Sequence, residues 1–121
     1  MKTCLVVEDS KVIRVIAAKA LQEMNFNAIE AENGEVALAQ CQKSLPDFIL
    51  LDWILPVKDG ISFMADFKKL PGSEKVPVIF CTSRNDPKDI QTALDAGAWE
   101  YIMKPFDSEI LRLKLMQTGL L

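Results

Sequence analysis

Short apolar runs alternate with segments of helical period along the whole chain, and this alternation limits the possible folds more than any other feature. The apolar runs predict strands at residues 4–7, 28–29, 48–51, 76–81 and 99–103. The periodic segments predict helices at residues 10–24, 35–43, 61–70, 87–97 and 108–118. Apolar strands joined by helices form a parallel sheet covered on both faces. Right-handed crossovers then favour a doubly wound five-stranded α/β sheet.

Local signals mark the ends of these elements. Asp86-Pro87 predicts a helix start with aspartate as the N-cap, Gly97 a helix end, and Asp107 a second N-cap. Residues 71–73 are predicted as a connector. The second strand is the least apolar, and Leu94 is expected in the core together with Phe63, Phe67, Ile79 and Phe80.

Length and composition narrow the function. The 121 residues predict one domain, residues 1–121, and a net charge of -3 argues against a nucleic-acid-binding surface. The absence of histidine excludes histidine-dependent catalysis and histidine metal ligands. Apolar runs of at most four residues predict neither a membrane span nor a signal peptide, so a cytoplasmic protein is expected. The three widely spaced cysteines predict reduced thiols rather than a zinc site.

Polar side chains follow four of the five predicted strands. Glu8-Asp9 follows the first strand, Asp52 the third, Thr82-Ser83 the fourth and Lys104-Pro105 the fifth. Ligand sites in open parallel sheets lie at the carboxyl ends of the strands. Each group alone could be a solvated strand end or a turn, but four groups at one rim favour a functional site.

The residue types at this rim suit the acceptance of a phosphoryl group. Three carboxylates in one pocket repel one another, and a hard divalent cation such as Mg2+ relieves the repulsion. A lysine can neutralise a transferred phosphoryl group, and a hydroxyl can donate to it. An aspartate can itself be the nucleophile and become an aspartyl phosphate.

The sequence resembles the receiver domain of two-component response regulators, of the single-domain CheY type. The matching segments are residues 6–10, residues 50–53 with Pro56 and Asp59-Gly60, Thr82-Ser83, and residues 97–106 through Tyr101 to Lys104-Pro105-Phe106. They cover nearly the whole chain, and their combined spacing is specific. The resemblance implies the strand order 2-1-3-4-5.

The resemblance also implies roles for individual residues. Asp52 would be the phosphoacceptor, and Asp9, Asp52 and the backbone carbonyl of Ile54 would bind Mg2+ directly. Glu8 would act through a metal-bound water. Thr82 and Lys104 would contact the phosphoryl group, with a cis Lys104-Pro105 bond, and Tyr101 would turn inward as Thr82 moves.

The function implied is a regulatory phosphoacceptor rather than a metabolic enzyme, although it would assist its own phosphorylation and dephosphorylation. A histidine kinase or phosphotransfer protein would donate the phosphoryl group. The protein, expected to be a monomer that could dimerise on phosphorylation, would bind a downstream target through helix four, strand five and helix five.

Three alternatives stay open. The chain could be an interaction module that never uses phosphate, or the receiver of a larger DNA-binding regulator or hybrid kinase. A nucleotide- or flavin-binding protein would need a glycine-rich loop after strand one, where Glu8-Asp9-Ser10-Lys11 is acidic and lacks glycine. The chain also departs from the family pattern at Glu8, where aspartate is commoner. Ile54 and Arg84 occupy positions expected to tune the lifetime of the phosphoryl group.

Overall fold

Five strands alternate with five helices in the computed structural model, which describes residues 1–83 and 86–121. The strands are β1 (Thr3–Val7), β2 (Asn27–Ala31), β3 (Phe48–Asp52), β4 (Val78–Thr82) and β5 (Glu100–Met103). The helices are α1 (Lys11–Glu23), α2 (Gly34–Lys43), α3 (Gly60–Phe67), α4 (Pro87–Asp95) and α5 (Ser108–Gln117). A short 3-10 helix, Ser73–Lys75, precedes β4.

The strands form one parallel sheet in the order β2-β1-β3-β4-β5, which confirms the predicted topology. Val7 at the end of β1 pairs with Leu51 of β3, and Asp52 pairs with Cys81 of β4. This register brings the carboxyl ends of the central strands to one edge of the sheet, because parallel neighbours run in the same direction.

Each face of the sheet has its own hydrophobic cluster. The cluster under α2, α3 and α4 includes Ala37, Phe63, Phe67, Phe80 and Ala93. The cluster under α1 and α5 includes Ala17, Leu21, Ile79, Leu111 and Leu115. The helices therefore cover both faces of the sheet, as in a doubly wound fold.

Side-chain caps begin the helices at polar residues. The carboxylates of Asp86 and Asp107 accept hydrogen bonds from the backbone N–H groups of Lys88 and Ile110, which confirms both predicted N-caps. Ser10 caps α1 in the same way, through its hydroxyl and the N–H of Ile13. Among the described residues, no helix is both long and apolar enough to cross a membrane.

The structure corrects four local predictions. The connector continues into the 3-10 helix, and β4 begins at Val78 because the N–H of Val76 bonds the Ser73 carbonyl instead of the sheet. Helix α3 ends at Phe67 rather than at residue 70. Leu94 is 38 % exposed, because α4 turns Ala93 rather than Leu94 into the core.

Candidate functional site

Three carboxylates meet at the carboxyl edge of the sheet, where β1 and β3 end. Oxygen atoms of Glu8, Asp9 and Asp52 all lie within 4.8 Å of one another. Glu8 and Asp52 are buried, with 5 % and 8 % exposure, whereas Asp9 is exposed. The structure thus brings together the acidic residues that the sequence places at these strand ends.

Lys104 inserts its ammonium group between two of these carboxylates. Its Nζ lies 2.5 Å from Oε1 of Glu8 and 3.0 Å from Oδ2 of Asp52. Burial by itself would lower the pKa of Lys104, but the hydrogen bonds and charges of Glu8 and Asp52 outweigh burial and raise it. The lysine therefore stays protonated and is the counter-ion of the buried acids. Its peptide bond to Pro105 is cis, as expected.

The net charge of the site favours the binding of a divalent cation. Three carboxylates against one ammonium give an excess of two negative charges when all four groups are ionised. The pKa of Asp9 is raised, first because it shares a hydrogen bond with the Glu8 carboxyl group, and then by burial and the Glu8 charge. Hard oxygen ligands at this spacing suit Mg2+, which would relieve the crowding.

The loop after β3 fixes the backbone next to Asp52. The N–H of Gly60 donates to the carbonyl of Trp53 at 2.8 Å. A Cβ atom on Gly60 would lie 2.6 Å from the carbonyl oxygen of Asp52, so only glycine fits this close approach. Trp53 is buried in edge-to-face contact with Phe80, with ring centroids 5.7 Å apart.

Ile54, two residues after Asp52, is in contrast 61 % exposed. The backbone carbonyl of Ile54 stays a predicted metal ligand.

Thr82 lies in β4, and Tyr101 lies in the neighbouring strand β5. Thr82 is buried at the end of β4, and its carbonyl accepts a hydrogen bond from the N–H of Lys104 at 2.8 Å. Tyr101 is partly buried against the cluster under α2, α3 and α4. Nζ of Lys114 in α5 lies 5.5 Å from the Tyr101 ring centroid. The movement of Thr82 and Tyr101 stays a prediction. Arg84 lies outside the described residues.

The cysteines are free and buried, in agreement with the prediction of reduced thiols. Cys81 of β4 pairs with Asp52 of β3 in the sheet, so Cys81 is a direct neighbour of a site residue. Burial raises its pKa to about 12, which leaves the thiol protonated and unreactive at neutral pH.

Arg14 is a residue at this site that sequence reasoning missed. One of its terminal guanidinium nitrogens donates to the backbone carbonyl of Glu8 at 2.8 Å. Its Nε donates to Oε1 of Glu30 in β2 at 2.9 Å. In the sequence, Arg14 lies in the first turn of the first helix and Glu30 in the second strand. Their ion pair can be predicted only once β1 and β2 are known to be neighbours.

A groove of about 710 Å3 opens beside Lys104, between α1 and the start of α5. Its apolar lining includes Ile13, Ile16, Phe106 and Leu111. Ile13 and Ile16 are exposed although they share a helix face with buried Ala17. The polar site is thus bordered by accessible apolar surface.

Sequence comparison finds relatives of this chain among known proteins. A family model described as "Response regulator receiver domain" matches residues 4–116. The phosphate regulon transcriptional regulatory protein PhoB of Escherichia coli (strain K12) is 38 % identical over 107 residues, which are 88 % of this chain and 47 % of PhoB. The chain therefore spans about half the length of the curated relatives it matches.

Solved structures also superpose on this fold. Chemotaxis response regulator CheY4 of Vibrio cholerae matches with a TM-score of 0.92 and 30 % identity, covering 97 % of this chain and 98 % of that one. The receiver domain of sensor histidine kinase PA1611 from Pseudomonas aeruginosa PAO1 matches with a TM-score of 0.88 and 28 % identity, covering 96 % and 95 %. That structure is described as having a magnesium ion coordinated in the active site cleft.

Proposed function

Because this chain belongs to the response regulator receiver domain family, we propose that Asp52 accepts a phosphoryl group from a histidine kinase or phosphotransfer protein. The observation that carries the proposal is the arrangement of Glu8, Asp9 and Asp52 around Lys104 at one edge of the sheet. Phosphate transfer needs both negative ligands for a metal ion and a positive group for the phosphoryl oxygens.

In the transfer step, an Oδ atom of Asp52 attacks the phosphorus atom of the donor. The new oxygen–phosphorus bond forms as the bond from phosphorus to the donor's histidine nitrogen breaks, and that nitrogen keeps the electron pair. Mg2+, when bound, would supply positive charge that neutralises the phosphoryl oxygens. Asp9, Asp52 and the Ile54 carbonyl would hold the ion directly, and Glu8 would hold it through water.

Lys104 and Thr82 would contact the transferred group. Lys104 already lies 3.0 Å from Asp52, so a phosphoryl group on that carboxylate would lie within reach of its ammonium group. Thr82 would donate its hydroxyl hydrogen to a phosphoryl oxygen. These contacts exist only in the phosphorylated state, and they therefore supply the differential binding that shifts the protein toward an active conformation.

The proposed output surface consists of α4, β5 and α5. Nζ of Lys114 in α5 lies 3.3 Å from Oε1 of Glu100 in β5, so the two elements are joined at this face. A change in the position of Tyr101, induced by movement of Thr82, would alter the same face. We expect the surface formed by α4, β5 and α5 to bind a downstream protein.

The exposed apolar groove beside Lys104 favours a protein as phosphodonor, because accessible apolar surface of this kind is typical of protein contacts. The neighbour described with magnesium supports Mg2+ as the ion. We further propose a cytoplasmic, monomeric regulator that acts by binding rather than by turning over a metabolite. A phosphate-independent module is disfavoured, because Glu8, Asp9, Asp52, Thr82 and Lys104 are all present at one rim.

The test is the intact mass of the protein after incubation with acetyl phosphate, in Mg2+ and in EDTA. We expect a gain of one phosphoryl group in Mg2+ only, and none in Asp52→Asn. Asp95→Asn, which alters an exposed aspartate at the end of α4, is the matched control and should be phosphorylated normally. A folded wild-type protein that gains no phosphoryl group would instead support the phosphate-independent module.

A further inference from the structure

We propose that Arg14 is a positioning residue that holds the metal-binding β1–α1 loop by bracing it against the edge strand β2. The inference rests on the proposed function, since it concerns how the same site is prepared for Mg2+. It assigns a role to β2, whose carboxyl end supplies no group to the site itself.

The contacts of Glu8 show how strongly this loop is fixed. Its backbone N–H donates to the Ala31 carbonyl at 3.0 Å, and its side-chain Oε2 accepts from the N–H of Ser10 at 3.1 Å. Lys104 occupies the other carboxylate oxygen. The backbone carbonyl of Glu8 is the remaining polar group, and Arg14 donates to it at 2.8 Å. Without Arg14, the peptide that joins Glu8 to Asp9 would lose its side-chain anchor.

Arg14 is itself held in place. Its guanidinium group also donates to Glu30 at 2.9 Å, and the Arg14 side chain is only 14 % exposed. Because Glu30 lies in β2, the contact fixes the guanidinium relative to the sheet rather than to the loop alone. The brace therefore runs from β2 through one side chain to the peptide between two proposed metal-binding residues.

The geometry requires arginine rather than lysine. A planar guanidinium presents several N–H donors in fixed directions, so it can bond Glu30 and the Glu8 carbonyl at once. An ammonium group on a flexible stem would make one of these bonds well and the other poorly. Arg14→Lys consequently keeps the positive charge but loses the two-sided brace.

Arg14 could affect Mg2+ binding through its charge or through the position in which it holds the loop. The two effects have opposite signs, so they can be distinguished. Loss of a positive charge near the site would tighten cation binding, whereas loss of the brace would weaken it. The double variant Arg14→Ala/Glu30→Ala removes one positive and one negative charge and so leaves the net charge unchanged. Removing groups that orient metal ligands typically weakens metal binding by about 10- to 100-fold. Since Arg14 acts through the backbone, we expect the lower end, roughly tenfold.

The experiment measures metal binding by the unphosphorylated protein. Mg2+ is titrated while the fluorescence of Trp53 is followed in a Trp99→Phe background, and Mn2+ binding is measured in parallel from the free ion's electron paramagnetic resonance signal. The variants are Arg14→Lys and Arg14→Ala/Glu30→Ala. The matched control is Lys58→Ala/Asp66→Ala, which removes a partly exposed ion pair between the loop before α3 and α3 itself. Circular dichroism spectra establish that each variant is folded.

We expect about tenfold weaker binding of both ions in the double variant, a smaller loss in Arg14→Lys, and no change in the control. Metal affinity within twofold of wild type in folded Arg14→Lys and in the double variant, with or without a lower melting temperature, would overturn the inference. Failure of the wild-type protein to bind either ion would contradict the proposed function instead, so the two failures are distinguishable.

Discussion

Replacing Lys104 with methionine removes the cation from the acidic cluster while it keeps most of the side chain's length. In the metal-free protein, Glu8 and Asp52 then lose the partner that lies 2.5 Å and 3.0 Å from them. Removing one partner of a fully buried ion pair costs about 3–5 kcal/mol. Because the Lys104 side chain is 21 % exposed, water screens part of the interaction, and we expect a loss of about 2 kcal/mol. For a domain of this size the loss corresponds to a fall in Tm of roughly 8 °C.

Mg2+ should reverse much of this loss. In the variant a bound Mg2+ ion would be the cation for all three carboxylates, and it would no longer compete with an ammonium group. The increase in Tm on adding Mg2+ should therefore be larger in Lys104→Met than in the wild-type protein. The assay is thermal unfolding followed by circular dichroism, in EDTA and in a series of Mg2+ concentrations.

Lys58→Met is the matched control, because Lys58 forms an equally short ion pair with Asp66, whose side chain is 34 % exposed, whereas those of Glu8 and Asp52 are only 6 % and 11 % exposed. We expect little change in Tm and no change in the response to Mg2+. Unfolding of Lys104→Met at the wild-type temperature in EDTA, or an equal rise in the Tm of Lys104→Met and wild type on adding Mg2+, would contradict this role of Lys104.

Three further predictions concern single residues. Val57 has a φ of 67°, a conformation that is costly for a β-branched side chain, so Val57→Gly should stabilise the protein by about 1 kcal/mol in urea unfolding; a destabilised variant would contradict this. Gly60→Ala places a Cβ atom against the Asp52 carbonyl and should cost about 2–4 kcal/mol in the same assay, whereas unchanged stability would show that the loop can move aside. The pKa of Asp9 is raised by its hydrogen bond with Glu8, so the folded state binds this proton more readily than the unfolded chain. The metal-free protein should therefore gain stability from Asp9 as the pH falls toward that pKa, and Asp9→Asn should be more stable than wild type near neutral pH by an amount that shrinks in acid. The measurement is a set of melting curves of both proteins in EDTA, from neutral pH down to acid. A stability difference between Asp9→Asn and wild type that stays constant or reverses would contradict a raised pKa of Asp9.

The strand ends could be predicted from the sequence because apolar runs mark buried strands directly. Phe48–Asp52, for example, is an apolar run closed by one acid, and parallel pairing then fixes the edge at which Asp52 emerges. The strand order came from the resemblance to the receiver family rather than from hydrophobic patterns, which do not reveal which strands are neighbours.

Other features depend on contacts that no local pattern contains. The bond from Arg14 to Glu30 joins residues 16 positions apart and requires that β1 and β2 be neighbours. Leu94 has the composition of a core residue, but the small Ala93 faces the sheet instead. Residues 73–75 form a 3-10 turn because Ser73 is buried and its carbonyl accepts from Val76, which a short polar segment does not indicate in advance.

The central claim is that the phosphoryl group is carried by Asp52, and chemical mapping of that group tests it most directly. Protein incubated with acetyl phosphate and Mg2+ is treated with borohydride, which reduces an acyl phosphate to an alcohol, and the digested peptides are sequenced by mass spectrometry. We expect homoserine at position 52 in the wild-type protein and none in protein incubated in EDTA. Homoserine at position 9 instead of 52, or a phosphorylated protein with no reduced aspartate, would contradict it.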